Sequence, residues 1–417
     1  MNKVVSQTVP QTLAQPFVDR AARDRIRTDL DTTLVVEAAA GTGKTTELVG
    51  RILAGICSGR VKLSSTVAVT FTEFAAGELK LRLRTAIEEA RQDPECSATA
   101  RAYLLQSLQE LEEARVGTIH SFCADLLRER PVEAGIDPLF EVAPDDRAQP
   151  LFNLAFDRWF EAHLANPGEA VRRILRRPPR REFGGWSAAL GRRSREEGPR
   201  KELRRAAWEI LRERDFTTPW RKSEGFGREA EIDALITEMK ELGDWADVGH
   251  PSEYLIKSIS YVKHYVAELT RTEEVTGRDY DGIEARLFSF LSGWKSKNYV
   301  AYFAKDDFPK KDIIARRNAL KERVEAFVAR AGADLAPQLR EELWPVVEGY
   351  EQLKERAGYL DFFDLLLRVR NLVLDNQYIR ADLQQRFTHI FVDEFQDTDP
   401  LQAEILILLA AGDPAED

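Results

Sequence analysis

The chain is poor in cysteine, methionine and histidine, and it has no long apolar run. Its 417 residues include 3 cysteines, 2 methionines and 5 histidines. Cys57, Cys96 and Cys123 are scattered and form no C-x-x-C pair, which predicts reduced thiols and argues against a disulfide framework, a zinc site or an iron–sulfur cluster. No apolar stretch reaches about 18 residues, and the first ten residues lack the apolar core of a signal peptide. We therefore expect a cytoplasmic protein with no membrane partner.

The net charge of −10 disfavours a polyanionic partner, but the positive charge is concentrated in one stretch. Between residues 171 and 222, seventeen Lys and Arg side chains stand against seven Asp and Glu. A positive field of this kind could attract duplex DNA, with Arg192, Arg193 and Arg195 as candidate phosphate contacts. The alternative is a solvated charged face that binds nothing. Tryptophans interleaved with the charges are more typical of helix cores than of base stacking.

A loop of small residues lies near the start of the chain, between an apolar segment and a helical pattern. Residues 33–37 (TLVVE) predict a short strand, and helical spacing begins at Lys44. The intervening sequence EAAAGTGKTT is typical of a loop whose backbone N–H groups surround phosphates, although Ala38 replaces the first glycine of the usual pattern. Lys44 would reach the β- and γ-phosphates of ATP, and Thr45 would hold Mg²⁺. The candidate nucleotide-binding residues are Ala38, Ala39, Ala40, Gly41, Thr42, Gly43, Lys44, Thr45 and Thr46.

An acidic pair follows a second apolar segment near the other end. Residues 389–392 (HIFV) predict a buried strand that carries Asp393 and Glu394 at its C-terminal end, where parallel α/β sheets bind ligands. Asp393 suits Mg²⁺, and Glu394 suits a base that polarises the attacking water. Taken singly, the loop could be a chance turn and the acidic pair an ordinary helix N-cap. Their order along the chain favours the two halves of one ATP site.

Several segments together resemble superfamily 1 helicases of the UvrD/Rep type. They are DEFQD at 393–397, TFTEFAAGEL at 70–79, TIHSF at 118–122 and LDFFDLL at 360–366, and ERPVEAGIDP at 129–138 is most similar to the AddA/RecB branch. The resemblance implies that Glu394 and Gln396 are catalytic, with Gln396 sensing the γ-phosphate. It also implies DNA contacts at Thr70, Phe71, Thr72, Thr118, His120 and Ser121. Ala22 stands where relatives carry a glutamine that reads adenine, which leaves base selectivity open.

The activity implied by the resemblance is ATP-dependent, 3′ to 5′ DNA unwinding in recombinational double-strand-break repair. Its cofactors would be ATP and Mg²⁺, and its partners single-stranded and duplex DNA and a second helicase–nuclease subunit of the AddB/RecC type. Two other functions stay open. One is a nucleotide-dependent DNA-binding module, or a split-helicase subunit completed in trans. The other is a P-loop ATPase that acts on protein or RNA, which the TFT and TIHSF segments disfavour.

The expected fold class is α/β: a P-loop NTPase (RecA-like) parallel sheet, motor domain 1A, interrupted by a large, mostly α-helical 1B insertion. We place the first part of 1A at residues 1–130, the insertion at 131–350 and the return segment at 351–417. By resemblance, the second motor domain and the nuclease are absent, and the next element of the family would be a strand between the phosphate-loop strand and the Asp393 strand. We expect the sheet to close that gap by direct pairing, to borrow a strand, or to stay open, and the chain alone to be inactive as a helicase.

Overall fold

The computed structural model describes residues 19–178, 180–181, 196–216, 218, 220–221, 225–248, 254–294 and 309–411. The chain divides into two compact units, one formed by Met1–Ala143 with Gly358–Asp417 and the other by Pro144–Ala357. Within the described ranges, no helix combines the length and the apolar character that crossing a membrane requires. Cys57, Cys96 and Cys123 are free thiols, as the sequence predicts.

The first unit begins with helices packed around a buried strand. All five residues of that strand, TVAVT, are buried, as expected for a parallel strand covered on both faces. Two helices of this unit begin at threonine N-caps. The Thr72 side chain accepts a hydrogen bond from the N–H of Ala75, and the Thr118 side chain accepts one from the N–H of Ser121. The elements are α1 (Arg20–Thr28), α2 (Lys44–Cys57), β1 (Thr66–Thr70), α3 (Glu73–Gln92), α4 (Ala98–Glu110), β2 (Arg115–Thr118), α5 (Ile119–Glu129) and β3 (Glu141–Val142).

The second unit is mostly helical, which confirms the helical prediction for the middle of the chain. Its elements are α6 (Asp145–His163), α7 (Glu169–Leu175), β4 (Arg180–Arg181), β5 (Glu196–Glu197), α8 (Pro199–Arg212), α9 (Arg228–Asp244), α10 (Tyr254–Thr276), α11 (Tyr280–Gly293) and α12 (Lys310–Ala357). β4 and β5 form an antiparallel pair. One apolar cluster surrounds Phe152 and Tyr350, and a second surrounds Leu287 and Phe327. The 48-residue α12 contributes to both clusters.

The chain returns to the first unit through a short strand. The elements are β6 (Tyr359–Leu360), α13 (Phe362–Asp375), α14 (Gln377–Arg386), β7 (His389–Val392) and α15 (Pro400–Ala410). β6 pairs in parallel with β3, Glu141 opposite Tyr359. This pairing keeps residues up to 143 and from 358 in the first unit, so the divisions in the structure lie later than the sequence-based ones at 130 and 350.

The main sheet positions the site. Among the described residues it has three parallel strands in the order β2-β1-β7. Thr70 of β1 lies opposite Thr118 of β2, and Val69 lies opposite Val392 of β7. Since all three strands point the same way, the residues that follow them lie along one edge of the sheet.

The predicted strand at residues 33–37 is wrong. This segment forms no strand, and its Val35 and Val36 side chains are 83% and 46% exposed. In the described part of the chain, β7 is the last strand on that side of the sheet. A strand is stable when its backbone N–H and C=O groups pair with those of a neighbouring strand. Residues 33–37 have no such neighbour among the described residues. Of the three outcomes expected for the gap in the sheet, the structure shows the open one.

Candidate nucleotide site

The phosphate loop owes its shape to two glycines. Gly41 and Gly43 have φ angles of 77° and 93°, a left-handed conformation that side chains with a Cβ rarely adopt. A Cβ on Gly41 would meet nothing within 4 Å, so the backbone conformation rather than crowding requires glycine there. Between the glycines, the Thr42 hydroxyl donates to the Ala39 carbonyl at 2.7 Å. Gly43 is the N-cap of the 14-residue α2, which places the loop at a helix N-terminus.

Residues from the loop meet the acidic pair from the far end of the sequence. The Thr45 hydroxyl donates to Asp393 Oδ2 at 3.1 Å, a hydrogen bond between residues 348 positions apart. Lys44 Nζ lies 3.5 Å from Glu394 Oε2. Asp393 is held by its own N–H, which donates to the Val69 carbonyl at 2.9 Å and extends the β1–β7 ladder. The structure thus brings Lys44, Thr45, Asp393 and Glu394 together despite the open sheet. Ala38, Ala39, Ala40 and Thr46 lie beside them on the exposed loop and first helical turn.

Glu394 has an unusual backbone. With φ 58° and ψ 44°, it is the one residue other than glycine with a positive φ among the described residues. Such strain persists where neighbouring structure imposes it, and it is frequent at functional sites. The Gln396 side-chain amide donates to Glu394 Oε2. This hydrogen bond holds the pKa of Glu394 below its ordinary value, and the Lys44 ammonium lowers the pKa further. Slight burial raises the pKa but does not outweigh these two effects. Glu394 is therefore an ionised carboxylate at neutral pH.

The oxygen donors fit a hard divalent cation. A threonine hydroxyl and a carboxylate separated by one hydrogen bond are the ligand types that Mg²⁺ takes alongside water and phosphate oxygens. The Lys44 ammonium next to Glu394 is positioned to exchange that carboxylate for a phosphate as its partner. The geometry therefore fits binding of a magnesium nucleotide.

The predicted DNA contacts from the TFT and TIHSF segments follow β1 and β2 at the same sheet edge. Thr70 and Thr118 are buried. Thr118 donates to Glu73 Oε1 at 2.8 Å, which ties the two segments together. Thr72 and Thr118 also cap α3 and α5. Ser121 is half-buried beside Thr118. Phe71, which is 62% exposed, Thr72 and the first residues of α3 face solvent, whereas α5 begins at the buried Ile119.

His120 is half-buried, and its ring packs edge-on against the ring of Phe362 with centroids 5.3 Å apart. Burial lowers the pKa of His120 below its usual value, and the Asp399 carboxylate opposes that effect. The neutral ring and Phe362, which is 45% exposed, form an aromatic surface between α5 and α13.

The basic stretch in the helical unit carries less free charge than its sequence indicates. Arg192, Arg193 and Arg195 lie outside the described residues. Among those that are described, Arg173 is buried and paired with Glu284. Further pairs are Arg172–Asp281, Arg176–Asp279, Arg177–Glu202, Arg200–Asp157 and Arg214–Glu351. In the described part of the stretch, acidic residues, most of them distant in sequence, thus compensate several of the arginines, and the contact of Arg192, Arg193 and Arg195 with DNA stays a prediction.

A polar cluster behind the phosphate loop was not predicted from the sequence. Glu47 of α2 is buried, and it accepts hydrogen bonds from Arg23 Nη1 at 2.9 Å and from Arg27 Nε at 2.9 Å. Burial raises the pKa of the Glu47 carboxyl, but the bonds from Arg27 and Arg23 outweigh it and hold the value below normal. The available signal was an acidic residue on an otherwise apolar helix face, preceded by two arginines at i,i+4 spacing.

The comparisons with known proteins agree with this geometry. A profile described as the UvrD/REP helicase N-terminal domain matches residues 18–415. Among curated proteins, the chain is similar to the A-subunit of the ATP-dependent helicase/nuclease of Natranaerobius thermophilus, at 26% identity over 89% of this chain and 31% of the relative. It is 29% identical to the protein of the same name from Moorella thermoacetica, over 92% of this chain and 29% of the relative. The chain thus spans about a third of the length of these relatives. It belongs to the UvrD/REP helicase family, whose N-terminal domain it matches, and its fold is that of a P-loop NTPase.

Proposed function

We propose that this chain is the N-terminal, ATP- and DNA-binding portion of an ATP-dependent 3′ to 5′ DNA helicase of the AddA type that acts in the cytoplasm in recombinational double-strand-break repair. The observation that carries the proposal is the meeting of Lys44 and Thr45 with Glu394 and Asp393 at one edge of a parallel sheet. The similarity to the helicase/nuclease A-subunits over about nine-tenths of the chain supports the same reading. In this proposal the first unit is motor domain 1A and the helical unit is 1B.

Each residue then has a role that its environment suits. Lys44 binds the β- and γ-phosphates in place of its present partner Glu394, and the loop N–H groups surround the phosphates. Thr45 and Asp393 would hold Mg²⁺, which neutralises phosphate charge when bound. Glu394, ionised and held by Gln396, orients and polarises the attacking water. Gln396, exposed next to Glu394, senses the γ-phosphate.

The DNA-binding surface is proposed at the same edge of the sheet. Phe71 presents an exposed ring to a base, and the exposed first turn of α3 offers backbone donors to phosphates. The hydrogen bond between Thr118 and Glu73 couples these two segments. Arg192, Arg193 and Arg195 are proposed to contact duplex DNA, and a protein of the AddB/RecC type is the proposed partner.

The test compares Lys44→Ala with Lys80→Ala, a control in the same unit that loses a surface ion pair with Glu112. We expect MgATP to raise the melting temperature of the wild type and of Lys80→Ala, and to leave that of Lys44→Ala unchanged. A nucleotide response in Lys44→Ala as large as that of the wild type would refute the assignment of this loop. Phosphate release measured with single-stranded DNA, RNA or neither separates the alternatives. Stimulation by DNA supports the motor, nucleotide-dependent DNA binding without turnover supports the binding module, and stimulation by RNA supports an RNA-dependent ATPase.

A further inference from the structure

The guanidinium of Arg23 in α1 bridges three parts of the nucleotide-binding region. Its Nη2 donates to the Thr42 carbonyl of the phosphate loop at 2.9 Å and to Asp19 Oδ2 at 2.8 Å. Its Nη1 donates to Glu47 Oε1 in α2 at 2.9 Å. The Arg23 side chain is 21% exposed; its bond to Glu47 is partly buried, and its bonds to Thr42 and Asp19 lie at the surface. One planar fork thus ties the helix before the loop to the loop and to the helix after it.

The bond to Thr42 orients a peptide group that the site needs. In a trans peptide, the C=O of one residue and the N–H of the next point in opposite directions. With the Thr42 carbonyl turned toward Arg23, the Gly43 N–H points in the opposite direction, away from Arg23. Gly43, with its φ at 93°, is the N-cap of α2, so this peptide joins the loop to the start of the helix. A carbonyl that turned the other way would place an acceptor, not a donor, at the phosphates.

Arg23 is itself held in place. Glu47 is fixed between Arg23 and Arg27, whose Nε and Nη2 donate to it at 2.9 and 3.0 Å. Arg27 lies against Gly50, where a Cβ would come within 3.2 Å of its Nε. Arg51, one turn after Glu47, donates to the carbonyls of Ile26 and Asp29 and so secures the end of α1. Since Asp19 and Glu47 compensate the charge of Arg23, its role toward phosphate is geometric and not a direct ion pair.

We propose that Arg23 is a positioning residue for the phosphate loop, which it holds through the Thr42 carbonyl so that the Gly43 N–H is available to a bound nucleotide. The inference rests on the proposed nucleotide site. It distinguishes Arg23 from Arg27, which donates to Glu47 but, within the described residues, makes no hydrogen bond to the loop. Lysine would keep the charge at position 23 but not the fork, because an ammonium presents no planar set of donors that could reach Thr42, Asp19 and Glu47 together.

The experiment measures binding of MgATP and MgADP by the 417-residue chain in the wild type, Arg23→Ala, Arg23→Lys, Arg27→Ala and Arg25→Ala. Arg25 lies on the same helix, is 65% exposed and pairs with Asp29 one turn further along the chain, so it is the matched control. A hydrogen bond from a charged donor supports a loss of about tenfold or more in affinity for both nucleotides in Arg23→Ala. We expect Arg23→Lys to recover part of that loss, Arg27→Ala to lose less than about threefold, and Arg25→Ala to match the wild type. Melting temperatures without nucleotide should fall similarly in Arg23→Ala and Arg27→Ala.

The outcomes separate this inference from the proposed function. Equal loss of affinity in Arg23→Ala and Arg27→Ala would overturn the inference, because it would mean that general anchoring of α1 matters and not the contact with the loop. Full recovery by Arg23→Lys would also overturn it, since charge alone would then suffice. If Lys44→Ala loses binding while Arg23→Ala binds like the wild type, only this inference fails. If the wild type binds no nucleotide, the proposed function fails and the inference with it.

Discussion

The buried arginine of the helical unit, Arg173, tests whether the ion pairs of this unit stabilise it. Arg173 of α7 is 1% exposed and lies between Glu284 of α11, 3% exposed, and Asp334 of α12, 7% exposed. Its Nη1 donates to Asp334 Oδ2 at 2.9 Å, and its Nη2 donates to Glu284 Oε1 at 3.0 Å. A further bond reaches the Ala331 carbonyl at 3.3 Å. Arg173→Met removes the cation and leaves two buried carboxylates that each lose a charged partner.

The expected loss of stability depends on the partners that the two carboxylates keep. Removing one partner of a buried ion pair costs about 3 to 5 kcal/mol, because the other charge loses its compensation. Here Glu284 keeps a bond from Arg228 Nη1 at 2.9 Å, which places the expected loss near the lower end, about 3 kcal/mol. With a urea m-value of about 1 to 3 kcal/mol per M, the unfolding midpoint should fall by about 1 to 3 M. Arg176→Met is the control, since Arg176 is 57% exposed and 3.6 Å from Asp279; its effect should stay below about 1 kcal/mol.

Tryptophan fluorescence is the appropriate probe. All 7 tryptophans of the chain lie between residues 159 and 344, within the helical unit. Their fluorescence therefore reports unfolding of that unit and not of the unit that holds the nucleotide site. If Arg173→Met unfolds at the same urea concentration as Arg176→Met, the buried network does not stabilise the unit, and our reading of the compensated arginines would be wrong.

Two further predictions concern the first unit. Gly55→Ala should destabilise the first unit by about 1 to 3 kcal/mol, because a Cβ there would lie 3.0 Å from Val61 Cβ and closer still to Val61 Cγ2. Gly77→Ala in α3 is the control: a Cβ there meets nothing within 4 Å, so the change should be neutral or stabilise the unit by up to about 1 kcal/mol. Circular dichroism in urea tests the pair, and equal midpoints would contradict the packing argument. Burial lowers the pKa of His120 in the folded protein, so on acidification the unfolded chain takes up a proton at this residue before the folded one does. The free energy of unfolding is therefore intact above about pH 6.5 and falls as the pH drops toward the pKa of His120 in the folded protein. His120→Asn should reduce the loss of stability between about pH 8 and 5, with a remainder from His389, whose pKa burial also lowers; an unchanged pH dependence would refute this assignment.

Much of the candidate site was predictable because its signals are local. Gly41 and Gly43 indicate a backbone that other residues rarely adopt, and the helical spacing after Lys44 indicates where the loop ends. The apolar run before Asp393 predicts the strand that carries it. The helical character of the middle of the chain follows in the same way from apolar residues at three- and four-residue spacing. Each of these features depends on neighbours within a few turns of chain.

Tertiary structure decided what depends on distant partners. Residues 33–37 have the composition of a strand, but the sheet ends at β7 within the described residues and offers no ladder beside it. Arg172 and Arg173 contribute positive charge in the sequence, yet Asp281 and Glu284, more than 100 residues away, compensate them. Arg23 and Glu47 read as unrelated surface charges until α1 packs on α2. The sequence alone determines which residues can bind phosphate and form helices, because backbone conformation and periodicity are local. Which charges are compensated and which strands pair depends on long-range contacts that only the folded chain makes.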